Sequence, residues 1–165
     1  MEQVTHPIAP VFDENSRILI LGSFPSVKSR EAAFFYGHPQ NRFWRVIAAL
    51  TDYPVPHTIE DKKKMLHENH IALWDTIASC EIEGSSDSSI KGVVPNNLNI
   101  ILETAPIQAV YCNGSKSYEL YHKYCEKQTG MPAFKLPSTS PANAACSLDR
   151  LIKEWSVIMD RLREV

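Results

Sequence analysis

The clearest indication of the fold is the stretch Arg17-Ile-Leu-Ile-Leu-Gly-Ser-Phe-Pro-Ser26. Its first half, Arg17–Leu21, is a short and almost continuously apolar run, which is typical of a strand covered on both faces in a parallel sheet. Gly22 then allows close approach of the backbone, and Pro25 fixes the path of the chain that follows. The stretch therefore predicts a buried strand that ends in a tight turn.

Outward from this strand, strand and helix patterns alternate along the chain. Further strands are predicted at Ile71–Trp74, Ala109–Cys112 and Ala133–Leu136, and helices at Asn41–Leu50, Thr58–Asn69, Asn96–Ala105 and Ser115–Cys125, with Thr58 as an N-cap. Apolar residues from Leu148 to Leu162 recur at helical spacing. We therefore expect one final helix, with Ser140 and Pro141 as its cap and first turn.

This alternation predicts an α/β fold with three layers, α/β/α, around a short central and mainly parallel sheet of four strands. With 165 residues and no repeat or linker, the chain fits a single domain over residues 1–165. In such a fold, ligands bind beyond the carboxyl ends of the strands. The loops at 22–41, 113–118 and 137–143 are therefore the places to look for a site.

Composition and charge narrow the functional class. Hydrophobic residues make up 44% and charged residues 22% of the chain, as in soluble globular proteins. The net charge of −2 excludes a wholly basic nucleic-acid binder but leaves room for a local basic face. Neither a membrane-length apolar run nor a leader pattern at Met1–Pro10 is found, so we expect a cytoplasmic protein that does not contact membranes.

Metal and cofactor motifs are absent from the sequence. Cys80, Cys112, Cys125 and Cys146 form no C-x-x-C pair, and free thiols packed as small hydrophobes are expected instead. His67 and His70 lack the H-E-x-x-H spacing that places two ligands on one helix face. We therefore expect neither a metal nor another cofactor.

The loop after the first strand is basic and aromatic. Between residues 26 and 45, four basic residues stand against one acidic residue, Glu31, which gives a local charge of +3. The loop also holds Phe34, Phe35 and Tyr36. Basic side chains interleaved with aromatic ones suit phosphate contact and base stacking, but a solvated loop whose aromatic residues lie in the core is equally compatible.

The two later loops are rich in amide and hydroxyl groups. Asn113-Gly-Ser-Lys-Ser117 lacks the glycine spacing of a P-loop, so Asn113 is either a turn residue or an amide directed into the crevice. Leu136-Pro-Ser-Thr-Ser-Pro-Ala-Asn143 places three hydroxyls before a predicted helix, where they suit phosphate binding, helix capping or both. No G-x-S-x-G elbow for a nucleophilic serine is present.

Taken in order, these loops resemble the motifs of the uracil-DNA glycosylase superfamily. The resemblance rests on GSFPS (22–26), GHPQNRFW (37–44), LWD (73–75), YCNGSKSY (111–118) and LPSTSPAN (136–143). The set is most similar to the hypoxanthine-DNA glycosylase branch, also called DNA-deoxyinosine glycosylase. Phe24 stands where several branches place a water-activating Asn or Asp, and Asp75 stands where the uracil branch has a base-reading Asn.

The resemblance implies roles for individual residues. Asn41 and Asn113 are the expected catalytic residues, with an amide holding the attacking water. The expected base pocket comprises Gly22, Ser23, Phe24, Pro25, Tyr36, His38 and Asp75. Contacts to DNA are expected from Ser26, Lys28, Arg42, Lys116, Ser138, Thr139, Ser140 and Asn143. No lyase-type motif surrounds Lys28 or Lys116, which favours a monofunctional enzyme.

The activity implied is removal of deaminated bases, most of all hypoxanthine, from DNA by hydrolysis of the N-glycosidic bond. The expected partner is single- or double-stranded DNA containing such a base, bound by a monomer. A mismatch-specific uracil or thymine glycosylase of the same fold is one alternative. A non-catalytic nucleic-acid-binding module is another.

Overall fold

The computed structural model describes residues 2–163. Its strands are β1 (Glu2–Thr5), β2 (Ile18–Gly22), β3 (Ile71–Asp75), β4 (Ile77–Ile82), β5 (Lys91–Pro95), β6 (Ala109–Asn113) and β7 (Ala133–Leu136). Its helices are α1 (Val27–Ala32), α2 (Phe43–Thr51), α3 (Ile59–Glu68), α4 (Asn99–Leu102), α5 (Ser115–Tyr124), α6 (Glu126–Thr129), α7 (Leu148–Trp155) and α8 (Ile158–Arg163). A short 3-10 turn covers Asp87–Ser89.

The central sheet has four parallel strands in the order β3-β2-β6-β7. Every residue of β2 and β3 is buried, although β3 lies at an edge of the sheet, where Val11 pairs with Leu73 and covers it. The predicted α/β fold with a parallel four-stranded sheet is confirmed, and each predicted strand agrees to within one residue at either end. The order places the carboxyl ends of β2, β3 and β6 side by side.

A second sheet, antiparallel and in the order β1-β4-β5, was not predicted. Two register shifts interrupt the pairing of β4 with β5, at Ile77/Ser79 and at Ser79/Glu81. These shifts remove the strict alternation that identifies a half-buried strand. The sheet packs on a smaller apolar cluster around Phe24, Cys80 and Leu120. Through the pairing of β1 with β4, this second sheet brings the N-terminal segment close to the central sheet.

The helix predictions are confirmed in the middle of the chain and wrong near its end. Thr58 caps α3 by accepting a hydrogen bond from the backbone N–H of Asp61. The final helix begins instead after Ser147, which accepts from Arg150 N–H, so Ser140 and Pro141 are not its cap. In place of the single predicted helix, the structure has two helices, α7 and α8. Between them, the Ser156 hydroxyl donates a hydrogen bond to the Lys153 carbonyl.

The predicted helix Asn96–Ala105 is only the short α4. Asn96 lies outside it because its side chain donates to the carbonyls of Asp75 and Ile77, at 2.9 and 3.1 Å. Its backbone N–H also donates to the Thr76 carbonyl, at 2.8 Å, so the backbone of Asn96 is held against the β3–β4 junction and not in a helix turn. This buried amide holds the end of β3, where the polar residue Asp75 lies.

Two other features follow from the packing. All four cysteines are free and buried, as expected, and burial raises the pKa of Cys112 to about 12 and that of Cys125 to about 11. These thiols therefore stay neutral. Within residues 2–163, no helix has the length and apolar character needed to cross a membrane.

Candidate active site

A cavity of about 380 Å³ opens at the carboxyl ends of β2, β3 and β6. Its volume lies within the range of roughly 300–1,000 Å³ usual for small-ligand sites. The three loops that the sequence singled out contribute to it, and so do Asp75 at the end of β3 and a further segment, at Ser85 and Asp87, that was not predicted. The lining residues are Gly22, Ser23, Phe24, Pro25, Ser26, Ser29, Phe35, Tyr36, His38, Asn41, Asp75, Ser85, Asp87, Asn113, Ser138, Thr139, Ser140, Pro141 and Ala142.

Thr139 joins the two asparagines of this cavity. Its backbone N–H donates to Oδ1 of Asn113 at 3.0 Å, and its hydroxyl accepts from Nδ2 of Asn113 at 3.0 Å. The same hydroxyl donates to Oδ1 of Asn41 at 2.9 Å. Asn41 Oδ1 also accepts from the backbone N–H of Phe43, at the start of α2. Thr139 is fully buried, so its hydroxyl is not available to a DNA phosphate, contrary to expectation.

The orientation of both amides follows from these bonds, because a backbone N–H can only donate. Oδ1 of Asn41 already accepts two hydrogen bonds, and a carbonyl oxygen has two lone pairs. Within the described chain Nδ2 of Asn41 has no partner, and Nδ2 of Asn113 donates to the Thr139 hydroxyl and lies near the hydroxyl of Tyr36. The amides therefore offer N–H donors to the cavity, and in this geometry the Asn41 oxygen, with both lone pairs engaged, is not free to accept from a water.

Asp75 supplies an acceptor in the same cavity. Its Oδ2 lies 2.8 Å from Nε2 of His6, with both side chains almost fully buried. A Cβ placed on Gly22 would lie 2.3 Å from Oδ1 of Asp75 and 3.1 Å from the hydroxyl of Tyr36. Only glycine at position 22 leaves room for this carboxylate. Within the described chain, Oδ1 has no hydrogen-bond partner.

Aromatic side chains form a wall of the cavity. Tyr36 adopts a left-handed φ of 52° and stacks on Phe43 with ring centres 4.2 Å apart. Burial, reinforced by the charge of Asp75, raises the pKa of the Tyr36 hydroxyl well above its usual range, so it stays protonated. Phe24 is 8% exposed and contacts His6 edge to face. Both rings expected to stack on a base therefore line the cavity.

Asp87 is a second carboxylate at the rim. The Ser23 hydroxyl donates to its Oδ1 at 3.1 Å. Although the residue as a whole is exposed, desolvation of the carboxyl raises its pKa. The charge of Asp75 acts in the same direction, whereas the Ser23 hydrogen bond and the charge of Lys116 lower the pKa. The balance leaves a carboxylate that takes up a proton at a higher pH than an ordinary aspartate.

Three of the residues expected to contact DNA are serines at the mouth of the cavity. Ser138 and Ser140 accept from backbone N–H groups at 3.1 Å, which leaves each hydroxyl hydrogen to donate. Ser26 caps α1 and donates to the Ser29 hydroxyl, so its own hydrogen is used. Ser138 also packs against Gly114, whose φ of +96° and close contact exclude a side chain there.

The remaining residues expected to contact DNA differ in their environments. The Asn143 side chain donates to the Ser138 carbonyl and stabilises the loop. Lys28 is exposed and lies 3.7 Å from Glu31, and Lys116 is half-buried near Asp87. His38, expected in the base pocket, lines the cavity and accepts from Gln40 N–H through Nδ1.

Arg42 has a structural role, and the phosphate contact expected of it stays a prediction. Its guanidinium donates to the backbone carbonyls of Ser140, Asn143 and Cys146. Three carbonyl partners leave little of the planar fork for a phosphate. They also explain why residues 140–146 form a loop and not the predicted start of a helix.

No sequence pattern pointed to Asp87, which lines the cavity, or to His6, which contacts Asp75 from behind. His6 belongs to an N-terminal segment with no helix or strand pattern of its own. Asp87 lies in the serine-rich stretch Gly84–Ser89, which is indistinguishable by composition from an ordinary surface loop. Only the antiparallel sheet, through β1 and β4, brings these segments to the cavity. Within residues 2–163, no group of three or more metal-ligating side chains is found.

Comparison with known proteins agrees with this geometry. The sequence model of the uracil DNA glycosylase superfamily matches residues 9–158. A protein of Methanosarcina acetivorans named hypoxanthine DNA glycosylase is 37% identical over 150 residues, which cover 90% of this chain and 93% of the relative. A protein of the same name from Methanosarcina barkeri is 38% identical over 112 residues, 67% of this chain and 71% of the relative.

A solved structure shows the same architecture. The solution NMR structure of a Methanosarcina acetivorans protein, provisionally named a uracil DNA glycosylase, superposes with a TM-score of 0.81 at 34% identity. The match covers 95% of this chain and 97% of that chain. On the family match, the identity to the relatives and this shared architecture, the chain belongs to the uracil DNA glycosylase superfamily.

Proposed function

We propose that this protein removes hypoxanthine from DNA by hydrolysing the bond between its N9 and the deoxyribose. The observation that carries the proposal is the pairing, in one cavity, of fixed amide donors with a carboxylate acceptor. Hypoxanthine presents the acceptor O6 beside the donor N1–H, and adenine presents the reverse pair. The names of two relatives support the same substrate.

The cavity complements the hypoxanthine edge through named atoms. Oδ1 of Asp75, which has no partner within the described chain, accepts from N1–H. Nδ2 of Asn113 and Nδ2 of Asn41 donate to acceptors of the base, O6 among them. Phe24 or Tyr36 stacks on the purine ring after the nucleotide has been flipped from the helix.

Bond cleavage leaves an electron pair on the base. As C1′–N9 breaks, positive charge develops on the sugar and negative charge on the departing purine, as in other glycoside hydrolyses. The Nδ2 donor of Asn41 stabilises that negative charge because it is already held in place before the reaction. In this proposal Asn41 therefore acts on the leaving base and not on the water.

The attacking water needs an acceptor, and Asp87 is the carboxylate that remains when Asp75 binds the base. Among the described residues that line the cavity, these two are the carboxylates. As the water oxygen forms a bond to C1′, Asp87 accepts one proton from that water. The proton later passes to solvent or to the departing base. The raised pKa of Asp87 suits this role.

The substrate in this proposal is DNA, held at the mouth of the cavity. Ser138 and Ser140 each keep a hydroxyl hydrogen for a phosphate oxygen. Lys28 and Lys116 add positive charge nearby. A non-catalytic DNA-binding protein would not need amide donors held in place inside the cavity. Their presence therefore favours an enzyme over a binding module. The protein is proposed to act as a monomer in the cytoplasm, without a cofactor.

Uracil is a second candidate base, because its O4 and N3–H repeat the pattern of O6 and N1–H. An assay of alkali-labile abasic sites separates the two. Oligonucleotides carrying one inosine, one uracil or one xanthine are incubated with excess enzyme in the presence of EDTA. Strand breaks at inosine support the proposal, whereas breaks at uracil with intact inosine favour the second candidate.

A further inference from the structure

His6 lies behind the cavity wall, against Asp75, and outside the part of the chain that the family model matches. That match begins at residue 9, so it assigns no role to this histidine. The backbone N–H of His6 donates to the Ala78 carbonyl at 2.7 Å, directly after β1 pairs with β4. The imidazole lies against Phe24, Phe35 and Trp74, with ring centres 5.9, 6.2 and 6.5 Å apart. Its side chain is 3% exposed.

The hydrogen bonds fix the tautomer of this ring. The backbone N–H of Ile8 donates to Nδ1 at 3.2 Å, so Nδ1 carries no hydrogen. A neutral imidazole then carries its hydrogen on Nε2, which lies 2.8 Å from Oδ2 of Asp75. The histidine is therefore a hydrogen-bond donor to the carboxylate, and this bond occupies Oδ2 and fixes its position.

The consequence is a carboxylate with one oxygen held and one free. Oδ1 faces the space above Gly22 beside the Tyr36 hydroxyl. An aspartate has two soft torsions, and without a partner for Oδ2 it can turn toward other donors, such as that hydroxyl. A fixed acceptor binds a base edge more selectively than a mobile one, because no reorganisation accompanies binding.

We propose that His6 is a positioning residue that holds the Asp75 carboxylate so that it distinguishes a base with a hydrogen on N1 from one without. This proposal rests on the proposed function. Adenine has a lone pair at N1, which would meet the fixed carboxylate oxygen without a hydrogen between them. The His6–Asp75 pair therefore protects normal adenine. Guanine shares N1–H, and its rejection has another origin, the greater difficulty of opening a well-paired base.

The test measures binding, so that it does not depend on turnover. Two duplexes carry a 2′-fluoroarabino nucleotide, which resists cleavage, with either hypoxanthine or unsubstituted purine as the base. Unsubstituted purine keeps the two-ring system but lacks both N1–H and O6. The dissociation constants of wild type and variants for both duplexes are measured by fluorescence anisotropy, and their ratio reports recognition of the hypoxanthine edge.

Wild type is expected to prefer the hypoxanthine duplex by at least about tenfold, the effect of one hydrogen bond to a charged group. His6→Phe keeps the ring packing but removes the donor, and we expect the ratio to fall below about threefold. His6→Gln places an amide N–H near the position of Nε2 and is expected to restore most of the ratio. In the Asp75→Asn background, His6→Phe should change the ratio no further.

A matched control is His122→Phe, at an exposed histidine that lies 3.3 Å from Glu126 and lines no part of the cavity. It should leave the ratio unchanged. If His6→Phe weakens binding of both duplexes equally, His6 serves only the fold and the proposal is overturned. A wild type without preference overturns it as well. Failure of the proposed function is seen separately, as intact inosine strands in the cleavage assay.

Should His6→Phe prove too unstable to purify, His6→Gln and Asp75→Asn carry the test. His6→Gln must then keep the ratio within about threefold of wild type, and Asp75→Asn must lower the preference to that part which the contacts to O6 supply. If Asp75→Asn keeps the full preference, the carboxylate does not read N1–H and His6 has nothing to position.

Discussion

The hydroxyl of Thr139 donates a 2.9 Å hydrogen bond to Oδ1 of Asn41, and this bond leaves only the amino group of Asn41 free for the cavity. Because the same hydroxyl accepts from Asn113, one buried threonine orients both amides.

Removing the Thr139 hydroxyl should disturb both amides without changing side-chain size. We expect Thr139→Val to lower the single-turnover rate on inosine DNA by about 10- to 100-fold, since the donors lose their fixed orientation. Thr139→Ser keeps the hydroxyl and should retain most of the rate. Equal rates for the Val and Ser variants would show that the hydroxyl does not orient the amides.

Asn41→Asp separates a donor role from a water-holding role. An aspartate can still accept from Phe43 N–H and from Thr139, but it offers no N–H to the leaving base. We expect Asn41→Asp to be as defective as Asn41→Ala, with a single-turnover loss of at least about 100-fold. An Asp variant as active as wild type would instead assign the water to position 41.

Ionisation of Asp87 should determine how the single-turnover rate falls at acidic pH, which is the acidic limb of the pH–rate profile. Asp87 must be ionised to accept a proton, and its pKa is raised by burial, so the single-turnover rate should fall as pH drops through a value above that of an ordinary aspartate. Asp87→Asn should lower the rate by about 100-fold and flatten that limb. Ser23→Ala removes one hydrogen bond that stabilises the ionised form, so it should move the limb to higher pH.

Arg42 should contribute to stability more than to DNA binding. Its guanidinium serves three backbone carbonyls of residues 140–146, and Arg42→Ala leaves them unpaired. We expect a loss of about 2 kcal/mol or more in the free energy of unfolding, measured with urea. The slope of log K for DNA against log salt should stay shallow, on the order of −2 to −4, and should not change in this variant. A slope flatter by about one unit would place Arg42 on a phosphate.

Gly22 should tolerate no side chain. The Cβ of Gly22→Ala would lie 2.3 Å from Oδ1 of Asp75, so the carboxylate must move. Activity on inosine should fall by more than about 100-fold even if thermal melting shows a folded protein. Normal activity in this variant would mean that Asp75 does not contact the base.

The parallel sheet and its loops were predictable because β2, β3 and β6 are short apolar runs that end at glycine or a polar residue. Thr58 was predictable for the same local reason, since its hydroxyl bonds three residues ahead. Ser147 was missed because Ser140 and Pro141 form an equally good local signal, which the contacts of Arg42 override. The contacts of Asp75 and Thr139 could not be predicted in this way. Asp75 binds His6, 69 positions away in sequence, and Thr139 binds Asn41, 98 positions away, and no local pattern encodes such contacts.

The most direct test of the central claim is the single-turnover rate of abasic-site formation on three matched duplexes that contain inosine, uracil or normal adenine at one position. The account predicts alkali-labile breaks at inosine, much slower reaction at uracil, and none at adenine, with rates that EDTA does not change. Intact inosine strands at saturating enzyme, or faster release of uracil than of hypoxanthine, would contradict it.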